Sequence, residues 1–268
     1  PRAAKCQVSI EESSQFASAL LLCAKHGRWD VKVIGENAEE SPYVAMTAKL
    51  LETFPPRGGH CQIEPDASSG SYFWAAGAMM TGLLRIESRR DLPVAVSNWP
   101  GFQLQIDSEF PMRMPITGVL SPTYFSRLRH LADGIMTAIV IAPFYDQAIK
   151  FNDLGRLRLQ ECERVFALRT ELTKCGAKVV EEGDTLTVYP SNLHGTEIET
   201  YNDHRMAMCF AILGLKVPGI KLKNPACVKK TFPNFFQKLA APPPKGLGAE
   251  IRDGRTGRKL GMDELFAE

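Results

Sequence analysis

The sequence has little net charge of either sign. Its 32 Lys and Arg against 30 Asp and Glu leave a formal charge of +2, which excludes a general polyanion-binding role resting on charge alone. A basic stripe interleaved with aromatics is also missing, so nucleic acid is not an expected partner. No apolar run reaches the length needed to span a bilayer, so no membrane partner is expected, and no signal peptide is visible. The chain opens on Pro1 and not on Met, which suggests processing or a fragment. None of the seven cysteines forms a C-x-x-C pair, which excludes a zinc site of the usual spacing, and no metal is expected. Their odd number and apolar settings, as in Leu21-Leu22-Cys23 and Met208-Cys209-Phe210, predict reduced core thiols in a cytoplasmic protein.

What is present is the balance of a globular protein, 44% hydrophobic and 23% charged over a length that allows one large domain or two. Four places share a small polar cluster followed by a run of small and apolar residues. They begin at Ser13, Asp66, Asp133 and Asp203, and Ser and Asp are good N-caps. Each run is apolar nearly all round, which predicts four buried helices. A second, amphipathic helix is expected at Pro42 to Phe54, Gln160 to Cys175 and Thr231 to Leu239. The middle one is clearest, with Val165, Leu168, Leu172 and Cys175 on one face and Gly176 as its C′ residue. Residues 177–180 and 185–189 then read as a hairpin around Glu182-Gly183-Asp184. The stretch from Asn98 to Phe110 is irregular and assigns no helix. The whole reads as repeats of strand, buried helix, strand, amphipathic helix and hairpin. Buried helices whose N-termini point one way would aim several positive dipole ends at one cleft.

After Leu239 the character changes. Ala241-Pro242-Pro243-Pro244 reads as a linker, and the Gly-rich charged stretch 245–268 as a solvated appendage with a small hairpin.

The most informative stretch is Tyr201-Asn202-Asp203-His204-Arg205-Met206-Ala207-Met208. It sets a carboxylate, an imidazole and a guanidinium side by side at the start of a helix. Free N–H groups and the dipole favour anions there, and Arg205 strengthens the site for phosphate or carboxylate.

With Ser13-Ser14-Gln15-Phe16, Ser41-Pro42-Tyr43, Asp66-Ala67-Ser68-Ser69, the Asp133 segment, Glu161 to Arg164 and Lys230-Thr231-Phe232-Pro233, this string resembles the EPSP synthase family, the 3-phosphoshikimate 1-carboxyvinyltransferases. The resemblance runs in the family's order across residues 7–240. It implies an α/β fold of repeated βαβαββ units, the inside-out α/β barrel of enolpyruvyl transferases, with two lobes around a cleft. Residues 1–62 would be the last unit of the acceptor-binding lobe. Residues 63–240 would be the second lobe, with the phosphoenolpyruvate-binding and proton-transfer residues, and 241–268 a Pro/Gly-rich tail. The family's earlier segment has no counterpart here, so a missing N-terminal segment or separate chain is expected to complete the site.

The implied reaction joins the 5-hydroxyl of shikimate 3-phosphate to C2 of phosphoenolpyruvate, adds a proton at C3 and expels phosphate, on the route to chorismate and the aromatic amino acids. It needs no cofactor. By resemblance Arg164, Arg205, Lys230 and Gln15 bind phosphoenolpyruvate. Ser13, Ser14, Gln15, Tyr43, Asp133 and Arg156 hold the acceptor. Asp133 and Glu161 move protons, and Asp203 and His204 support them. A planar guanidinium fork suits carboxylate or phosphate, and two carboxylates among cations work as acid and base when their environments differ. The purely local alternatives are surface ion pairs for the cations, N-capping by Ser13, Ser14 or Asp133, and dipole complementarity for Glu161 in a first helical turn.

Three positions depart from the family's pattern: Glu40 stands for a serine, Gln160 for a lysine and Arg156 for an asparagine. Arg156 or Arg158 would restore the lost charge. An enolpyruvyl transferase with another acceptor, or a non-catalytic remnant of the fold, are the competing readings.

Overall fold

A computed structural model describes residues 2–37, 40–54, 58–81, 94–100, 104–114 and 123–268. The chain forms two compact units: Pro1–Pro65 with Pro100–Gln105, and Asp66–Trp99 with Ile106–Glu268. Within the irregular stretch noted above, residues 101–103 lie outside the described residues.

The first unit runs β1 (Ala4–Ser9), α1 (Ser14–Gly27), β2 (Trp29–Ile34), α2 (Ser41–Thr53). β1 and β2 pair in parallel from Ala4↔Trp29 to Ser9↔Ile34, as a helical crossover requires. α1 stops at Gly27, where any Cβ would meet the Trp29 ring at 2.4 Å, and Arg28 follows in the left-handed region at φ 57°. The expectation that α1 is buried all round does not hold. Of its residues only Ser14, Ala17 and Gly27 are buried, while Phe16 is 59% and Leu22 52% exposed.

The second unit runs α3 (Ala67–Thr81), α4 (Phe110–Arg113), β3 (Tyr124–Ser126), α5 (Ile135–Ile141), β4 (Ile149–Asn152), α6 (Arg164–Lys174), β5 (Val179–Glu182), β6 (Thr185–Val188), β7 (Glu197–Ile198), α7 (His204–Gly214), β8 (Lys221–Leu222) and α8 (Phe235–Ala240). From β3 to β6 this is one complete βαβαββ unit. Its sheet has the order β3-β4-β6-β5, with β3 parallel to β4 and the other pairs antiparallel. Gly183, at φ 55°, makes the tight turn between β5 and β6.

The predicted face of α6 is the buried one: Val165, Leu168, Leu172 and Cys175 are all 0% exposed. Burial of each of the Val and Leu side chains contributes about 1.5–3 kcal/mol relative to exposure. Gly176, at φ 94°, closes the helix, and the Ala177 N–H returns to the Leu172 carbonyl. The helix starts three residues later than Glu161, with Glu163 as its N-cap accepting from the Phe166 N–H. Glu161 therefore lies ahead of the helix and not in its first turn. The helix expected from Thr231 is shorter, beginning at Phe235 behind a 3-10 segment Pro225–Lys230.

Every residue of α5 is buried. A polar seam crosses this core, where Thr137 Oγ1 on α5 meets Ser71 Oγ of α3 at 2.9 Å and Cys209 Sγ of α7 at 3.8 Å. All seven cysteines are free; Cys175, Cys209 and Cys227 are buried, whereas Cys23 is exposed and so no core thiol.

Residues beyond 240 are mostly exposed, as a solvated stretch is, but they are docked on the second unit. Leu265 and Ala267 are buried in the core of the second unit, the Ala267 N–H bonds the Pro233 carbonyl at 2.9 Å, and Gln237 reaches the Met262 carbonyl at 2.9 Å. Arg252 and Lys259 form one antiparallel bridge around the turn that Asp253 caps. Among the described residues no helix is long and apolar enough to cross a membrane.

Candidate active site

The N-termini of α3, α5 and α7 each meet an aspartate. Asp66 Oδ1 accepts the Ser68 N–H at 3.0 Å, and Asp203 accepts the Arg205 N–H at 2.7 Å. At α5 the residue is not Asp133, as capping would have it. Gly134 occupies the cap, and its N–H is shared by both oxygens of Asp107 at 3.1 Å. Any Cβ on Gly134 would stand 2.7 Å from Asp107 Oδ1. Asp133 is thereby left with its side chain on two cations.

Those cations are Arg205 and Arg127. Arg205 Nη2 lies 3.0 Å from Asp133 Oδ2, and Arg127 Nη2 lies 3.3 Å from Oδ1. Burial alone would raise the Asp133 carboxyl, but Arg205, Arg127 and Arg164 outweigh it and hold the group below its ordinary value. Burial likewise works against the Arg205 cation, and Asp133, Asp107 and Asp66 help hold it more firmly protonated than usual. Tyr72, which burial keeps neutral, places its hydroxyl 3.5 Å from Arg205 Nη1.

The turn that delivers α7 explains how the sequence builds this corner. Tyr201 and Asn202 both take positive φ, 54° and 55°, and the Asp203 N–H returns to the Thr200 carbonyl at 2.8 Å. That is a type I′ turn, costly for Tyr and tolerable for Asn. Tyr201 is held there by its hydroxyl on Glu171 at 3.0 Å and Asn202 by Asn224 at 2.9 Å.

Arg164, which the resemblance gives to phosphoenolpyruvate, is buried. It is 2% exposed, with Nε 2.6 Å from Asp203 Oδ2 and Nη1 donating to Gln160. Two elements distant in sequence, the starts of α6 and α7, are joined by this pair. Burial would raise Asp203, and the Arg164 hydrogen bond and charge pull it below its ordinary value. His204 is 5% exposed, and among the described residues its Nδ1 has no hydrogen-bond partner. Burial, then Arg205, push it down to about 4, so the ring is neutral at pH 7. Glu161 lies within electrostatic reach of His204. Its Oε1 accepts from Lys230 Nζ, at the end of the 3-10 segment, and both side chains are partly exposed.

The second unit thus brings together Asp133, Glu161, Arg164, Asp203, His204, Arg205 and Lys230. Arg156 is half-buried on the 3-10 turn Gly155–Leu159. Arg158 is no spare charge, being held by Glu163, Glu181 and Asp184 at 2.7, 2.8 and 3.0 Å. Asp107 and Arg127 stand outside every motif read from the sequence, and Ser68 and Tyr72, on the Asp66 helix, carry no role there. Arg127 had one usable signal, a charge immediately after the strand β3.

In the first unit, Ser13 caps α1 by accepting the Gln15 N–H at 3.2 Å, and the Gln15 side chain is exposed. The Ser14 N–H is taken by Glu40 Oε2 at 2.6 Å, with both residues buried. Tyr43 sits in the first turn of α2. The amide expected to face an acceptor phosphate therefore faces a carboxylate of the chain itself. Among the described residues no group of His, Cys, Asp and Glu has the makings of a metal site.

A family model described as EPSP synthase (3-phosphoshikimate 1-carboxyvinyltransferase) matches residues 55–239. The chain is 33% identical to a 3-phosphoshikimate 1-carboxyvinyltransferase of Nostoc punctiforme, over 87% of this chain and 60% of that protein. It is 34% identical to the one of Pseudomonas syringae pv. tomato, over 90% and 60%. The chain thus spans about 60% of the length of the curated relatives it matches. Among solved structures, an EPSP synthase from Acinetobacter baumannii superposes with a TM-score of 0.55 at 17% identity, covering 88% of this chain and 62% of that one, a likeness of fold.

Proposed function

The chain belongs to the EPSP synthase family, and from that premise we propose that it carries the phosphoenolpyruvate-handling part of an enolpyruvyl transferase acting on shikimate 3-phosphate in the shikimate pathway. The observation that carries this reading is the corner at the start of α7, where Arg205 meets Asp133, and near which Lys230 meets Glu161. Two acids and two cations in one cluster, beside a helix N-terminus, suit a reaction that binds an anion, moves protons and expels phosphate.

In this reading Asp133 takes the proton of the acceptor hydroxyl as its oxygen bonds to C2 of phosphoenolpyruvate. Glu161 delivers a proton to C3. Phosphate then leaves C2 into the field of Arg205 and Lys230, taking up the proton that Asp133 accepted, and a proton returns from C3 to Glu161 as the enol ether forms. Arg164 acts from inside, holding Asp203 and through it the start of α7. Asp203 and His204 are supporting groups.

The acceptor half is assigned to Ser13, Ser14, Gln15 and Tyr43 of the first unit, with Gln15 also on the phosphoenolpyruvate side and Arg156 as the relocated arginine. We infer that the segment present in relatives, on the same polypeptide or a separate chain, completes this half. The exposed apolar side chains Phe16, Leu22, Phe54 and Ile63 of the first unit support a further covering layer. Seven free thiols fit a reducing, cytoplasmic setting. Glu40 on the Ser14 amide favours a second reading, an acceptor without phosphate at that position.

The test is to incubate the chain, alone and with the N-terminal segment of a relative, with both substrates and follow the acceptor by NMR. An enolpyruvyl ether formed only when both substrates are present supports the proposal. No ether from a folded, complemented chain overturns it.

A further inference from the structure

We propose that Asp107 is a positioning residue for Asp133: it anchors the peptide that follows Asp133 and, through its own charge, sets how tightly Asp133 holds a proton. The inference rests on the proton-transfer role given to Asp133 above. Asp107 is 2% exposed and sits on the turn Ile106–Glu109, in the stretch that no periodicity picks out. Both its oxygens hold the Gly134 amide, and the Ser68 hydroxyl donates to Oδ2. The absence of a side chain at Gly134 is what allows so close an approach. The Asp133 backbone is thus fixed from behind while its carboxylate points to Arg205 and Arg127.

The charged groups that bear on Asp107 are Asp133 at the entry to α5 and Arg205 on α7. α3 contributes the Ser68 hydroxyl, and Glu109 and Arg113 beside it pair with each other at 2.7 Å. Burial pushes Asp107 up to about 6; the Ser68 hydrogen bond opposes this, Asp133 adds to it, and Arg205 and the Gly134 amide oppose it. Asp133 is held low by its arginines. Two neighbouring carboxylates with separated affinities are the arrangement that divides proton holding between them. When Asp107 is neutral, Asp133 is the lone anion between Arg205 and Arg127 and a weak base. Ionised, Asp107 shares Arg205 and repels Asp133, which becomes the stronger base.

The experiment follows the side-chain carboxyl carbons of the full chain by NMR as pH is raised, with Asp133→Asn assigning Asp133. Asp133 is expected to show, besides its own low inflection, a second one at the Asp107 midpoint of about 6. Asp107→Asn abolishes that inflection. Ser68→Ala, a milder change, moves the Asp107 midpoint and the second Asp133 inflection upward together. A single low Asp133 inflection unmoved by either variant overturns the proposal. Full turnover in Asp133→Asn, with the coupled inflections intact in wild type, instead removes Asp133 from the chemistry and leaves the coupling standing.

Discussion

Lys230 Nζ donates to Oε1 of Glu161, so the cation and the acid proposed for phosphoenolpyruvate neutralise each other in the free chain. Both are partly exposed, and an exposed pair is worth about 1 kcal/mol or less, so an incoming anion can open it at little cost. Glu161→Gln removes the proposed proton donor and releases Lys230 at once. It should lower kcat by about 100-fold or more while leaving phosphoenolpyruvate affinity unchanged or tighter. Steady-state kinetics beside a binding titration decide it. Weaker binding with unchanged turnover would remove Glu161 from proton transfer.

Arg164 and Asp203 form the opposite kind of pair. They are 2% and 0% exposed at the side chain, 2.6 Å apart. Removing one partner strands a buried charge, which costs about 3–5 kcal/mol. Arg164→Ala should therefore lose that much stability in chemical denaturation, while Lys230→Ala loses about 1 kcal/mol or less. An Arg164→Ala protein of wild-type stability but weakened phosphoenolpyruvate binding would make Arg164 a ligand-binding residue and not a structural one.

Glu40 holds the Ser14 amide with a buried carboxylate. Glu40→Ser frees that N–H and removes a negative charge. Affinity for shikimate 3-phosphate should rise about tenfold or more, equivalent to about 1.4 kcal/mol, with phosphoenolpyruvate affinity unaltered. The comparison needs calorimetry of both ligands on both proteins. Equal acceptor affinity in the two would show that Glu40 does not oppose the phosphate.

Asp107 and His204 give opposite pH dependences over nearly the same range. Burial raises Asp107 from 3.8 to about 6, so its contribution to stability is full below about pH 4 and is lost as pH rises through about 6. Burial and Arg205 lower His204 from 6.5 to about 4, so its contribution is full above about pH 6.5 and is lost as pH falls through about 4. The stability of Asp107→Asn relative to wild type should therefore increase with pH across this window, and that of His204→Asn should decrease. Urea unfolding at stepped pH reads both slopes, and pH-independent differences would contradict them.

Local chemistry was legible in the sequence, and long-range partnership was not. The spacing of Val165, Leu168, Leu172 and Cys175 marked the buried face of α6, and Gly183 marked the hairpin, because both signals lie within a few residues. Asp203 could be read as a cap for the same reason. A surface ion pair is the local alternative for Arg164, yet its partner is the buried Asp203, 39 residues away. Asp107 sits in a stretch with no period and acts on Gly134, 27 residues on. α1 was expected to be buried because it is apolar, but Phe16 and Leu22 lie exposed; apolarity says that a helix needs cover, not where the cover comes from.

In the proposed site Arg205, at the start of α7, receives the anionic groups of phosphoenolpyruvate. Calorimetric titration of phosphoenolpyruvate into the wild-type chain and into Arg205→Ala, both confirmed folded, decides this. Saturable binding in wild type that weakens about tenfold or more in the variant, about 1.4 kcal/mol, is the predicted result. Identical isotherms would contradict it.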